Sequence, residues 1–142
     1  MAECVFRREQ IDTKSVLTHL EEACLIRRLF TDLNNVTDLQ KPDKVYLDNT
    51  NLLYTLSPEK PEIGTVRETF FANQLASAGH KVESAGYKRG DFRVDDAIVI
   101  EVGGQDKGFS QIAGQENACV AADDIESAYM GKIPLWAFGF LY

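Results

Sequence analysis

The sequence predicts an α/β domain built on a mixed sheet of four or five strands flanked by helices. A β-branched run over residues 97–102 has the composition of a central strand. A clear helical pattern begins at Thr65 and stops at Gly79, a favoured residue just past a helix end. Short strand-like runs surround these two segments, and a composition of 44% hydrophobic and 26% charged residues is typical of a globular domain.

The front of the chain reads as a helix followed by a short strand. Apolar residues recur at helical spacing from Val16 to Cys24, and either Asp12 or Thr13 is a candidate for the N-cap. Residues 25–30 then read as a strand. Residues 31–43 are polar and contain Pro42, which indicates a loop.

We place a domain boundary in that loop. Residues 1–40 form a small helical front end, and residues 41–142 form the main domain. In the main domain we expect a strand at 44–47, a short helix around 52–56, the helix from Thr65, strands at 81–84, 91–94, 98–102 and 117–122, and the start of a helix at 109–114.

Composition excludes several classes of function. The net charge of −7 makes the chain a poor partner for phosphate backbones. No apolar run approaches the ~18–20 residues of a membrane span. Gly131 and Lys132 are not part of a phosphate-binding loop, so an ATP site of that kind is excluded. Cys4, Cys24 and Cys119 lack metal or disulfide spacing, which favours reduced thiols and a cytoplasmic location.

The hairpin over residues 90–102 carries the most informative pattern, because its loop length decides which residues share a face. A two-residue loop, Asp95 and Asp96, mixes charged and aliphatic residues on both faces. A three-residue loop that includes Ala97 sets Asp91 opposite Glu101. A slip of one residue exchanges the faces of a whole strand, so burial favours the three-residue loop. One face then holds only apolar residues: Phe92, Val94, Ile98, Ile100 and Val102.

Two adjacent carboxylates repel each other unless a cation or a proton joins them. Asp91 and Glu101 therefore predict a site for Mg²⁺, which takes one or two protein carboxylates plus water and substrate phosphate. The alternative is a solvated strand face with Arg93 as the counter-charge. The role of Glu68 also has two interpretations. Thr65-x-x-Glu68 matches a capping box, in which Glu68 bonds to the helix start, and the same residue can instead supply a third carboxylate to the site.

An Asp followed about ten residues later by a Glu, on a hairpin after a Glu-bearing helix, resembles the PD-(D/E)XK nuclease-like fold. More specifically, the chain resembles the C-terminal region of prokaryotic AAA-type ATPases. There an ATPase module is followed by a winged-helix-like segment and a nuclease-like domain of uncharacterised function. The matching pieces are VLTHLEEACLIRRL (16–29), KPDKVYLDNTNLLYTL (41–56), GTVRETFFANQL (64–75), GDFRVD (90–95), IEVGGQDKGFSQI (100–112) and KIPLWAFGFLY (132–142).

The resemblance implies a restriction-endonuclease-like main domain and a winged-helix-like front segment. It also implies that Glu68, Asp91 and Glu101 match the acidic residues of the nuclease site, with Asp91 and Glu101 as Mg²⁺ ligands. In active nucleases of this fold the metal activates water and neutralises charge on the phosphate.

The sequence departs from the family pattern two residues after Glu101, where Gly103 replaces the expected lysine. Lys107 lies four residues further on, and it can take the place of that lysine only if it swings back. Gln111 matches a polar position on the following helix of the family. Because of the missing lysine we expect a non-catalytic recognition or assembly domain. The alternative is an Mg²⁺-dependent DNA endonuclease that uses Lys107.

The resemblance also implies an ATPase module as partner, in the same chain or in another. The sequence leaves open whether this chain is a fragment of such an ATPase or a relative that has lost it. DNA is a weaker expectation, supported by positive charges near one edge at Lys81, Lys88, Arg89 and Arg93. The apolar residues 133–142 either pack back on the core or form a homodimer interface.

Overall fold

The computed structural model describes residues 12–31 and 41–141. The helices are α1 (Thr13–Glu22), α2 (Thr50–Leu56), α3 (Ile63–Ser77) and a 3-10 helix (Leu135–Phe140). The strands are β1 (Ile26–Leu29), β2 (Lys44–Leu47), β3 (Val82–Ser84), β4 (Phe92–Val94), β5 (Ile98–Gly103), β6 (Ala118–Ala122) and β7 (Lys132–Pro134).

Five strands form a mixed sheet in the order β3-β4-β5-β6-β7. The pairs β3–β4 and β4–β5 are antiparallel, and β5–β6 and β6–β7 are parallel. The predicted α/β class and mixed sheet are confirmed. The sequence reading missed β7, a three-residue strand that ends in Pro134 at the edge of the sheet, where proline is tolerated.

The three-residue loop of the hairpin is confirmed. Phe92 pairs with Ile100 and Val94 pairs with Ile98. Asp95 and Asp96 take the left-handed backbone conformation, with φ of 51° and 59°, which aspartate tolerates better than most residues. The predicted apolar face is buried except at Ile98, which is 45% exposed where the strand leaves the hairpin loop.

The main core lies between α3 and one face of the sheet. Phe71 of α3 and Phe92 of β4 are both fully buried, and their ring centres lie 5.0 Å apart. Phe138 of the 3-10 helix packs edge-on against Phe71 at 4.8 Å. A smaller cluster covers the other face, where Ile112 packs with Val120 and Ala122.

Helix α3 begins at Ile63, with Glu62 as an N-cap that makes no side-chain capping bond. Thr65 therefore lies inside the helix, and the capping-box interpretation of Glu68 is wrong. The predicted stop at Gly79 is confirmed, because this glycine has a φ of 89° directly after the C-cap.

The front segment shares the core of the main domain. Asp12 caps α1 by accepting a hydrogen bond from the Lys14 amide at 3.2 Å, as predicted. Strand β1 pairs antiparallel with β2, so this pairing crosses the boundary placed at residue 40. Leu29 belongs to the same cluster as Phe71. The two-domain division and the winged-helix-like assignment stay predictions.

Residues 109–114 form turns and no helix, contrary to expectation. Gly114 has a φ of 81°, which a right-handed helix does not accommodate, and Ile112 is the one buried side chain of this stretch. Among residues 12–31 and 41–141, no helix is both long and apolar enough to cross a membrane.

The apolar end of the chain packs back on the core in part. Leu135 is buried and Phe138 contacts Phe71, whereas Trp136 and Phe140 are exposed. The homodimer through residues 133–142 stays a prediction, and Tyr142 lies outside the described residues, as does Cys4.

Replacement of Phe71 by alanine should lower the free energy of unfolding by about 3–5 kcal/mol, because it leaves a cavity among packed rings. Urea unfolding followed by circular dichroism measures the change. Tyr87→Ala, which truncates an exposed aromatic residue, should change the free energy of unfolding by no more than about 0.5 kcal/mol. A loss below about 1 kcal/mol for Phe71→Ala would contradict this description of the core.

Candidate active site

Three of the predicted site residues come from different elements. Glu68 lies on α3, Asp91 directly precedes β4, and Glu101 lies on β5. The Asp91 amide donates to the Ile100 carbonyl at 3.1 Å, which continues the hairpin ladder and sets Asp91 opposite Glu101. The Asp91 Oδ2 also accepts a hydrogen bond from the Val102 amide at 3.0 Å. The hairpin register therefore holds the Asp91 carboxylate beside the strand that carries Glu101.

Lys44 joins the carboxylates of Glu68 and Asp91. Its Nζ lies 3.2 Å from Glu68 Oε2 and 2.9 Å from Asp91 Oδ1. Burial alone would lower the pKa of Lys44, but the hydrogen bonds and negative charges of Asp91 and Glu68 outweigh it and raise that pKa. Lys44 therefore stays charged and balances part of the acidic cluster.

Tyr46, two residues after Lys44 and on the same face of β2, supports the same carboxylate. Its hydroxyl donates a short hydrogen bond to Glu68 Oε2. Burial and the Glu68 carboxylate both raise the pKa of Tyr46, so its hydroxyl remains a proton donor at neutral pH. Glu68 is thus oriented by Lys44 and Tyr46.

Glu101 is completely buried, and among the described residues its side chain has one charged neighbour within ion-pair distance. Lys107 Nζ lies 2.6 Å from Glu101 Oε1. Neither carboxylate oxygen accepts an aligned hydrogen bond within residues 12–31 and 41–141. Burial raises the pKa of Glu101, the charge of Asp91 adds to this effect, and Lys107 opposes it. Such a carboxylate favours a proton or a further cation.

The chain around Gly103 explains how Lys107 reaches Glu101. A Cβ atom on Gly103 would lie 2.6 Å from Cγ of Lys107 and 2.7 Å from its Cβ and Cδ. The stem of Lys107 therefore fills the space that a side chain at position 103 would occupy. A turn in which the Lys107 amide donates to the Gly104 carbonyl at 3.0 Å brings the stem back.

The solvated-face alternative is wrong for Glu101, which has no exposed surface. Arg93 lies opposite Glu83 in the register of β3 and β4, and the cations nearest the carboxylates are Lys44 and Lys107. Sequence reasoning placed Lys44 only in a strand. The one available indication was its two-residue spacing from Tyr46, which sets both on one face of β2.

Gln111 lies at the rim of the site. It is exposed, within the turns that replaced the expected helix, and it lines a cavity of about 320 Å³ together with Lys44 and Asp91. No hydrogen bond joins its side chain to the carboxylates among the described residues, so its role is limited to the cavity wall.

The residues present fit a divalent cation held by Asp91 and Glu101. The buried Glu101 Oε2 has no partner among the described residues, and Asp91 lies beside it. Within residues 12–31 and 41–141, no three His, Cys, Asp or Glu side chains are grouped as a complete metal site. A site with two protein carboxylates leaves the other coordination positions of a metal to water. This suits Mg²⁺, which keeps several water ligands.

The raised pKa of Glu101 predicts a pH-dependent stability in the presence of a metal chelator. The folded state retains a proton above the ordinary value of 4.5 where the unfolded chain has released it, so stability falls as pH rises through this window. Glu101→Gln removes this cost. Urea unfolding should show the variant more stable than the unaltered chain at about pH 7, with the difference shrinking towards about pH 4.

Glu59→Gln, at an exposed position, is the matched control and should change stability little at any pH. If Glu101→Gln were instead less stable than the unaltered chain at neutral pH, the buried carboxylate would be a net stabilising group and the prediction would be wrong.

Comparison with protein-family models finds no matching family, and comparisons with curated proteins and with solved structures find no similar protein. Any functional assignment therefore rests on the chemistry of the carboxylates and the two lysines.

Proposed function

We propose that this chain is a nuclease-like domain that hydrolyses phosphodiester bonds with Mg²⁺, and that it works within or beside an AAA-type ATPase in the cytoplasm. The single observation that supports catalysis is the position of Lys107. Its ammonium lies 2.6 Å from Glu101, and its stem fills the space above Gly103. The missing lysine was one reason to expect an inactive domain, beside the acidic charge and the apolar end of the chain, and the position of Lys107 answers that reason.

In this proposal Asp91 and Glu101 hold Mg²⁺, which polarises the phosphate and lowers the pKa of bound water. Lys107 steadies the attacking water or a phosphate oxygen with its ammonium. Val102 donates its amide to Asp91 and keeps that carboxylate oriented. Glu68 holds Lys44 and Tyr46 at the edge of the site, where Lys44 can offset charge on a bound phosphate.

A restriction-endonuclease-like fold is part of the same proposal, and the placement of one helix and one hairpin supports it. The Glu-bearing helix α3 packs on the sheet beside β5, and Asp91 and Glu101 lie on a hairpin of its central strands. The overall negative charge weakens long-range attraction to nucleic acid, so binding depends on the metal and on local lysines.

The second candidate is a recognition or assembly domain without catalysis. The bridge from Lys44 to Glu68 and Asp91 favours it, because a protein cation already contacts two of the three carboxylates and offsets part of their charge. In that case Lys44 keeps its place on Asp91 and added metal does not bind. The two candidates therefore differ in their response to divalent cations.

Cleavage of DNA in Mg²⁺ or Mn²⁺ tests the catalytic proposal, with supercoiled plasmid and single-stranded circular DNA assayed in parallel so that nicking of either one counts as activity. Asp91→Asn should abolish nicking, and Lys107→Met should slow it by at least about 100-fold, since one transition-state donor is lost. Lys60→Met, at an exposed position, is the control and should retain full activity. Metal should also raise the melting temperature of the unaltered chain but not that of Asp91→Asn. Absence of both nicking and metal stabilisation would instead support the recognition domain.

Moving the lysine provides a sharper test of the role of Lys107. The double variant Gly103→Lys with Lys107→Gly clears the space around position 103 and restores the spacing of the family pattern. It should regain nicking that Lys107→Gly alone has lost, while urea unfolding shows that both variants are folded. A folded double variant without activity would show that lysine at this point in space is not sufficient for the reaction.

A further inference from the structure

We propose that the substrate is single-stranded nucleic acid, bound by the loop of residues 85–90 through stacking on Tyr87 and phosphate contacts from Lys88 and Arg89. The inference deepens the proposed function, since it names the substrate of the same site. Binding and cleavage are measured separately, so each can fail without the other.

Tyr87 offers a stacking surface. Its side chain is 87% exposed, as is that of Met130, and no other large hydrophobic side chain in residues 12–31 and 41–141 is exposed to this degree. Lys88 Nζ lies 5.1 Å from the centre of its ring. An exposed aromatic ring with adjoining positive charge is the arrangement with which proteins hold unpaired bases and their phosphates.

The loop and Asp91 share one cavity. Tyr87 and Lys88 line the same cavity of about 320 Å³ as Lys44 and Asp91. This volume is at the lower end for small-ligand sites, which suits one nucleotide unit better than a duplex. A base held at Tyr87 therefore has its phosphodiester within the cavity that Asp91 borders.

The two loop cations are available to phosphate. Lys88 and Arg89 are exposed and make no ion pair with any residue of 12–31 or 41–141. Lys44 and Lys107, by contrast, are paired with carboxylates. Because the chain is acidic overall, it does not attract phosphate at long range. The charges of Lys88 and Arg89 attract phosphate only locally, near the cavity.

The base of the loop is anchored to the sheet. A Cβ atom on Gly90 would lie 2.7 Å from Val99 Cγ1, so only glycine fits there, and Gly90 also has a φ of 103°. The Gln115 side chain donates to the Arg89 carbonyl at 2.9 Å. The position of Tyr87 is thereby tied to Asp91, the residue that follows Gly90.

Single strands fit this surface better than duplexes. A base can stack on Tyr87 only if it has left its neighbours in the helix. Duplex binding without base contacts needs many phosphate contacts, which a chain with a net charge of −7 does not supply.

Fluorescence anisotropy of short labelled oligonucleotides tests the inference, with Ca²⁺ replacing Mg²⁺ to limit cleavage. Single-stranded DNA and RNA are titrated in parallel with duplexes of the same sequence. The chain should bind at least one single strand more tightly than its duplex. Tyr87→Ala should weaken that binding by about 5-fold or more, and Tyr87→Phe should retain it. Lys88→Gln should reduce the salt dependence by about 0.7 units of slope.

Tyr129→Ala is the matched control, because Tyr129 is also exposed and carries Lys132 at 5.8 Å from its ring centre, but lies outside the lining of this cavity. It should leave binding unchanged. The inference is overturned if no single strand binds, if duplex binds more tightly, or if Tyr87→Ala binds as well as the unaltered chain. Binding that depends on Tyr87 but leads to no cleavage supports the inference and counts against the catalytic proposal. Cleavage that does not depend on Tyr87 supports the catalytic proposal and counts against the inference.

Discussion

The site depends on the pairing register of β4 and β5. That register buries four apolar side chains, Phe92, Val94, Ile100 and Val102, each stabilising the fold by roughly 1.5–3 kcal/mol. A slip of one residue would lose a total on the order of 6–12 kcal/mol. Burying one carboxylate costs several kcal/mol at most once a lysine and a proton are available to it. The free energy gained by apolar burial therefore exceeds the cost of burying the carboxylate, and Glu101 is held inside the protein beside Asp91.

Lys107 shows that an ammonium group can reach a buried carboxylate from more than one position along the chain. The Gly103–Gly104 pair removes two side chains at the end of β5, and the following turn returns Lys107 over Gly103. A lysine at 103 would compete for the same volume. The two arrangements are thus alternatives for placing one ammonium beside the same buried carboxylate.

Lys44 supplies the cluster with a protein cation in place of a metal. With Lys44 on Glu68 and Asp91 and with Lys107 on Glu101, two ammonium groups offset two of the three carboxylate charges, and one negative charge remains unless Glu101 holds a proton. A divalent cation on Asp91 and Glu101 would have to share Asp91 with the Lys44 ammonium. The competition between these cations for one carboxylate separates a catalytic domain from a recognition domain, and both share the same fold and the same buried residues.

The sequence by itself determined the α/β class, the hairpin loop, the limits of most strands and the opposition of Asp91 and Glu101, because alternating burial and turn residues act over a few neighbouring positions. Only the tertiary structure decided the environment of those carboxylates. Lys44 approaches Asp91 across 47 residues of chain, and Lys107 reaches Glu101 through a turn without periodic pattern. The edge strand β7 and the turns at 109–114 were likewise set by packing against neighbours, which local propensity does not encode.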